Sequence, residues 1–233
     1  MNTPWQYDET QQVGTDYRDQ REVQAYDERM HKLRDVESEA KDIRNALRLS
    51  SESVVWEIGT GTGECALTLA VTVKHVHASD VSPAMLEYAR HKAAQRVVGN
   101  VTFEAGGFLS GFRPAQPVDA VVTQLALHHL PDYWKSRALS VIADNLCPTG
   151  RLYLRDVVFP STPVDYDAFF ARAIDDIRSH AGTEMAEQLV RHIRTEFSTL
   201  DWILEGLMMR SQLTIIEKHV DGLLSVYVCK KAG

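Results

Sequence analysis

The stretch Val54-Val55-Trp56-Glu57-Ile58-Gly59-Thr60-Gly61-Thr62-Gly63-Glu64 decides the reading of this chain. Its first five residues have the apolar, β-branched and aromatic character of a buried strand. Three glycines follow at alternate positions, and a helical pattern begins at once from Glu64. Glycine at such a junction lets the backbone bend sharply and lets a ligand approach the main chain. A dinucleotide fingerprint counted from Gly59 and Gly61 would need glycine at position 64, which is Glu64. A phosphate loop would end in Gly-Lys-Ser/Thr, and that is absent too. Acids at Glu57 and Glu64 would repel a pyrophosphate, so the loop suits a ligand with a positive end. Asp80 stands seventeen residues beyond Gly63, directly after a second apolar run. A carboxylate there can accept both hydroxyls of a ribose, with Val81 beside it to pack on a base.

Outward from this stretch, short apolar runs alternate with helical patterns. Strands are predicted at Ser53–Ile58, His75–Ser79, Val101–Glu104, Val118–Thr123 and Arg151–Phe159. Helices are predicted from Glu64 to about Val71, from Ser82-Pro83 to about Val97, and from about Asp132 to Leu146, closing near Pro148-Thr149-Gly150. This alternation predicts an open, mostly parallel α/β sheet with right-handed crossovers. Ligands on such sheets bind beyond the carboxyl ends of the strands, so the site belongs to the loops after Ile58, Ser79, Glu104, Thr123 and Val158.

Residues 1–50 carry an apolar stripe, Val23, Tyr26, Met30, Leu33, Val36, Ala40, Ile43 and Leu47, at helical spacing. They read as a helical lid segment. Residues 160–198 read as an inserted helical cap, with amphipathic stretches Val164–His180 and Thr183–Arg194 broken at Ala181-Gly182. A short helix over Thr199–Arg210 and a hairpin, Leu213–Val220 and Leu223–Lys230 around Asp221-Gly222, return the chain to the sheet. The core therefore comprises 51–159 and 199–233.

The chain has 233 residues, 25 Lys+Arg against 32 Asp+Glu, and a net charge of −7. A pI near 5.7 is not that of a protein with a broad basic field, so no nucleic-acid partner is expected. No stretch approaches the ~18 apolar residues of a membrane span. The opening MNTPWQYDET lacks the charged end and apolar run of a secretory signal, and Cys65, Cys147 and Cys229 form no CxxC pair. A cytoplasmic protein with no membrane association is expected; the oligomeric state is not legible.

In four ordered segments the sequence resembles the class I S-adenosylmethionine-dependent methyltransferases. These are Glu57-Ile58-Gly59-Thr60-Gly61-Thr62-Gly63, Ser79-Asp80-Val81-Ser82-Pro83-Ala84-Met85-Leu86, Asp119 through Leu130, and Leu146-Cys147-Pro148-Thr149-Gly150-Arg151-Leu152. The resemblance covers about residues 50 to 158. It implies a Rossmann-like sheet of about seven strands with an antiparallel last strand, and S-adenosylmethionine as cofactor. Gly59, Thr60, Gly61 and Gly63 would line its methionine half, with Glu57 fixing the loop. Asp80 would hold the ribose and Val81 would meet the adenine. Gln124 and Leu125 would lie beside the sulfonium. Many relatives carry an acid after the third strand that binds the adenine amino group. Here that position is Gly107, leaving main-chain groups of Gly107 and Phe108 for the base.

The implied activity is methyl transfer by direct displacement to a small-molecule acceptor. The alternative is a subunit that binds the cofactor without transferring the methyl group, which the missing acid at Gly107 would suit. His128 and His129, after the fourth strand, are the candidate catalytic residues. Asp156 reads as a partner of Arg155 or a second base. Tyr7, Tyr17 and Tyr26 could reach the site from the N-terminal segment. No metal site is expected. His75 and His77 share a strand face without a third ligand, and Gln124 replaces the first of the acids that hold magnesium in catechol-type relatives.

Overall fold

The computed structural model describes residues 4–11, 23, 27 and 34–232. The helix α1 (Val36–Leu47) is capped by the Asp35 side chain accepting from Ser38 N. It turns Ala40, Ile43 and Leu47 into the core. Val23 is buried as well. Val36, at the start of α1, is half-buried, and the remaining stripe residues Tyr26, Met30 and Leu33, with Tyr17, lie outside the described residues.

Beyond α1 the chain runs β1 (Val54–Ile58), α2 (Glu64–Ala70), β2 (His75–Asp80), α3 (Pro83–Gln95), β3 (Val101–Ala105) and β4 (Val118–Gln124). A 3-10 turn (Leu127–His129), α4 (Asp132–Asn145) and β5 (Leu146–Val157) follow. The chain closes with α5 (Tyr166–Ala181), α6 (Thr183–Thr195), α7 (Asp201–Arg210), β6 (Leu213–Asp221) and β7 (Leu224–Lys231). Ser82 caps α3 by accepting from Met85 N, and Pro83 takes its first position, as predicted.

The strands form one seven-stranded sheet in the order β3-β2-β1-β4-β5-β7-β6. β1 to β5 pair in parallel, and β7 runs antiparallel to both its neighbours. Strand order reverses between β1 and β4, so the switch-point crevice opens where β1, β2 and β4 end. Alternate residues leave the sheet on opposite faces. Val55, Val122, Tyr153 and Val228 pack with α1 and α2. Trp56, Val121, Leu152 and Tyr227 pack with Leu139 and Ile142 of α4 and Leu204 and Met208 of α7. With both faces covered, the near-continuous apolar run of β4 is the pattern such strands need.

Two local expectations shift. β5 begins straight after α4, and its register with β4 jumps from Val118↔Leu146 to Ala120↔Arg151. The Pro148-Thr149-Gly150 turn is thus a bulge inside the strand. In the hairpin, Asp221 still pairs with Leu224, so the turn centres on Gly222-Leu223, one residue later than expected. Gly222 has φ +57, and the Leu223 carbonyl accepts from Val158 N at 2.9 Å.

Candidate active site

The glycine loop is held open by the next strand. Gly59 N and Thr60 N both donate to Ser79 O, at 2.9 and 3.0 Å. Gly59, Gly61 and Gly63 have φ of +74°, +54° and +76°, a region that side chains disfavour. Their surroundings differ. A Cβ on Gly59 would lie 2.5 Å from Ala126 Cβ, because the loop after β4 crosses there. A Cβ on Gly63 would meet Ala89 and Phe103, so this glycine seats α2 against α3 and β3 rather than lining the crevice. A Cβ on Gly61 would meet nothing within 4 Å. That open space is the crevice.

Two adjoining hollows of about 790 and 510 Å³ share Gly59, Gly61 and Gln124 as a common wall. The larger lies against Asp80, Val81, Gly107, Phe108 and Leu125. Asp80 takes Gly61 N on one oxygen and Ser82 N on the other, each at 2.8 Å. Burial raises its pKa, and these backbone donors partly offset that. Each oxygen keeps a lone pair for a further donor. Leu125 has φ +53 and gives its N–H to Arg155 O at 2.8 Å, an unfavourable backbone state of the kind held at ligand sites.

The smaller hollow is lined by Glu57, Thr60 and Arg34. Glu57 is almost fully buried and accepts from Thr60 Oγ1 at 2.7 Å. Burial pushes its pKa up to about 7, against the opposing pull of Thr60. Arg34 donates to Gln124 Oε1 at 3.1 Å and pairs with Glu39, which also binds Arg155. Glu64 also borders this hollow, with its carboxylate paired to Lys92 and Arg96 on the α3 side.

The two histidines of the 3-10 turn have opposite environments. His128 is buried. Its Nδ1 meets Asp156, its N–H donates to Asp156 Oδ2 at 3.0 Å, and its Nε2 lies 3.1 Å from Glu196 Oε2. Burial alone would lower its pKa, but the two carboxylates outweigh that and raise it to about 9. His129 lines the larger hollow. Burial and the neighbouring His128 hold its pKa down to about 3. Tyr7 OH donates to His129 O at 3.3 Å. His75 and His77 share Thr102 Oγ1, at 3.1 and 3.0 Å, and face no metal-ligating cluster among the described residues.

Glu9, Arg34 and Glu196 escaped the sequence reading. Each comes from a segment far along the chain, and nothing in its local pattern distinguishes it from a solvated charge. Glu9 matters most for the expected gap at Gly107. A Cβ there would lie 2.6 Å from Glu9 Oε2, so the carboxylate stands over the glycine. It accepts from Leu109 N at 2.9 Å and Ser110 Oγ at 2.6 Å.

A seven-stranded sheet with β7 reversed, carrying an acid-flanked glycine bend and an aspartate at the next strand's end, defines the class I methyltransferase architecture. Residues 55–150 match the family described as methyltransferase domain. An uncharacterized methyltransferase of Geobacillus kaustophilus is 31% identical over 180 residues, covering 77% of this chain and 78% of that protein. Among solved structures, an S-adenosylmethionine-dependent methyltransferase from Clostridium acetobutylicum superposes with a TM-score of 0.68 at 12% identity, over 91% of this chain and 98% of that one. Magnesium protoporphyrin IX methyltransferase from Synechocystis, solved with S-adenosylhomocysteine, gives 0.60 at 19% identity, over 84% and 82%. The chain belongs to the class I S-adenosylmethionine-dependent methyltransferases, and it is an enzyme of that family. No helix among the described residues is long and apolar enough to cross a membrane.

Proposed function

We propose that this chain binds S-adenosylmethionine in the paired hollows and transfers its methyl group by direct displacement to a small-molecule acceptor. The observation that carries this reading is the free space at Gly61, with Asp80 on one side and Glu57 and Arg34 on the other. Bound there, S-adenosylmethionine supplies an electrophilic methyl group on a sulfonium that departs as a neutral thioether.

The chain's residues divide the remaining work. Asp80 holds the ribose hydroxyls. Val81 and Phe108 pack on the base. Glu9 offers the carboxylate that Gly107 does not, which removes the one feature that suited a non-transferring subunit. Arg34 pairs with the amino-acid carboxylate of the ligand, and Glu57 with its ammonium. Gln124 and Leu125 flank the sulfonium. His129 meets the acceptor, while His128 fixes the turn that carries it. The cap formed by 160–198 and the N-terminal segment of 1–50 enclose an acceptor of limited size over the core of 51–159 and 199–233. Enclosure excludes water and aligns the reacting pair, worth effective molarities of ~10⁵ M or more.

Isothermal titration tests the reading. S-adenosylhomocysteine should bind, and Asp80→Ala should weaken it by about 1–3 kcal/mol, the scale for losing charge-assisted hydrogen bonds. No heat at millimolar ligand with folded protein would reject the reading.

A second prediction concerns pH. Glu57 is protonated below about 7 in the free protein. A cationic ligand favours its ionised form, so binding releases a proton. Affinity should therefore rise with pH up to about 7 and level off above, by as much as about tenfold per pH unit at the steepest. Titrations in buffers of different ionisation enthalpy read the proton directly. Glu57→Gln should abolish the release, and an unchanged release in that variant would remove Glu57 from the site.

A further inference from the structure

At the acceptor end of the crevice, three imidazoles crowd one carboxylate oxygen. Glu196 Oε2 lies 3.1 Å from His128 Nε2, 3.7 Å from His129 Nδ1 and 2.9 Å from His192 Nδ1. The ligand atoms of His128, His129 and Glu196 all lie within 4.8 Å of one another. Donors at 2.0–2.2 Å around a tetrahedral cation are separated by roughly 3.4 Å, so small side-chain movements would close this group on an ion.

The cluster is built rather than accidental. His128 Nδ1 is held by buried Asp156, the outer-shell carboxylate that orients a metal-ligating histidine and leaves its Nε2 facing inward. Glu196 ends α6, with its N–H on His192 O at 3.0 Å, and the next N–H, of Phe197, donates to His128 O at 2.9 Å. The cap is thus latched to the turn that carries the histidines by the Phe197–His128 main-chain bond. Of the three principal donors, His129 is the one that lines the large hollow.

We propose that His128, His129 and Glu196 form a site for a divalent first-row metal ion at the acceptor end of the crevice. Two imidazoles and a carboxylate are the donor set of zinc sites that keep a position open. A dication there lowers the pKa of an acceptor hydroxyl or thiol. The acceptor's proton goes to solvent. Its oxygen or sulfur then forms the new bond to carbon as the methyl–sulfonium bond breaks, and that electron pair stays on the departing thioether. The acceptor class is therefore an alcohol, phenol or thiol small enough for the capped hollow. This last step rests on the cofactor reading above, whereas the metal site does not.

The test uses chelator-treated full-length protein titrated with Zn(II), and with Co(II) as a visible reporter. One equivalent should bind, and Co(II) should give the intense bands of a low-coordinate nitrogen and oxygen site. His129→Ala and Glu196→Gln should abolish stoichiometric binding. Asp156→Asn should weaken it about 10- to 100-fold, with circular dichroism reporting that each variant is folded. A wild-type protein that binds no metal, or variants that bind as wild type does, would overturn the proposal and leave a buried ion-pair network only. Titration of the same wild-type sample with S-adenosylhomocysteine reports on the cofactor crevice separately.

Discussion

Gly61→Val is expected to eliminate measurable S-adenosylhomocysteine binding in a protein that still folds. The backbone at Gly61 is left-handed, with φ +54, and a β-branched residue there costs about 1–3 kcal/mol of stability. That is the main structural penalty, because an added Cβ meets nothing within 4 Å and the N–H bond to Asp80 can persist. The isopropyl group instead fills the wall shared by the two hollows, where the ligand must cross from the ribose to its methionine end. Binding should fall by more than about 100-fold, or roughly 3 kcal/mol. Gly59→Val makes the contrast. Its Cβ would stand 2.5 Å from Ala126 Cβ, so the loop after β4 must move and stability should suffer more. Thermal melts and titrations of the two variants separate a blocked site from a broken one. Undiminished affinity in folded Gly61→Val protein would mean that the ligand lies elsewhere.

The parts of this site legible in the sequence are those whose cause is local. A strand running into alternate glycines forces a bend, and an aspartate ending the next parallel strand must arrive beside it. β1 pairs with β2 in a register that puts Ile58 opposite Ser79, so Asp80 follows at the bend. The hairpin and the capped start of α3 are local in the same sense. The illegible parts depend on contacts between distant segments. Glu9 reads as one more acid in a polar stretch until the loop after β3 brings Leu109 N and Ser110 to it. Arg34 gains its meaning from Gln124 and Glu57, which lie far along the chain but line the same hollow. His128 and His129 are neighbours with the same chemistry, yet the 3-10 turn buries one between carboxylates and leaves the other at the crevice. Spacing cannot distinguish them, because the choice is made by Asp156 on β5 and Glu196 at the end of α6. Gly63 is the converse case. It belongs to the glycine pattern, but Ala89 and Phe103 take the space its side chain would need.

Asp156→Ala should produce a large loss of stability. Asp156 is almost fully buried, and its carboxylate receives three donors: His128 Nδ1, His128 N at 3.0 Å and Val157 N at 2.8 Å. Alanine leaves all three without that acceptor in a place that water reaches poorly. It also leaves the imidazole of His128 with Glu196 as its remaining carboxylate partner. Breaking a buried pair from one side costs about 3–5 kcal/mol, and at roughly 2–4 °C per kcal/mol for a chain of this size the melting temperature should fall by about 6–20 °C. Asp156→Asn keeps an acceptor oxygen, and a single oxygen, Oδ1, already serves His128 Nδ1 and Val157 N, so its loss should be smaller. His128→Ala in the Asp156→Ala background should cost much less than His128→Ala alone, because the partner that strands the charge is already gone. Denaturant unfolding of the four proteins gives the coupling. Costs that simply add, or a loss below about 1 kcal/mol for Asp156→Ala, would show that this carboxylate does not hold the turn that presents His129 to the crevice.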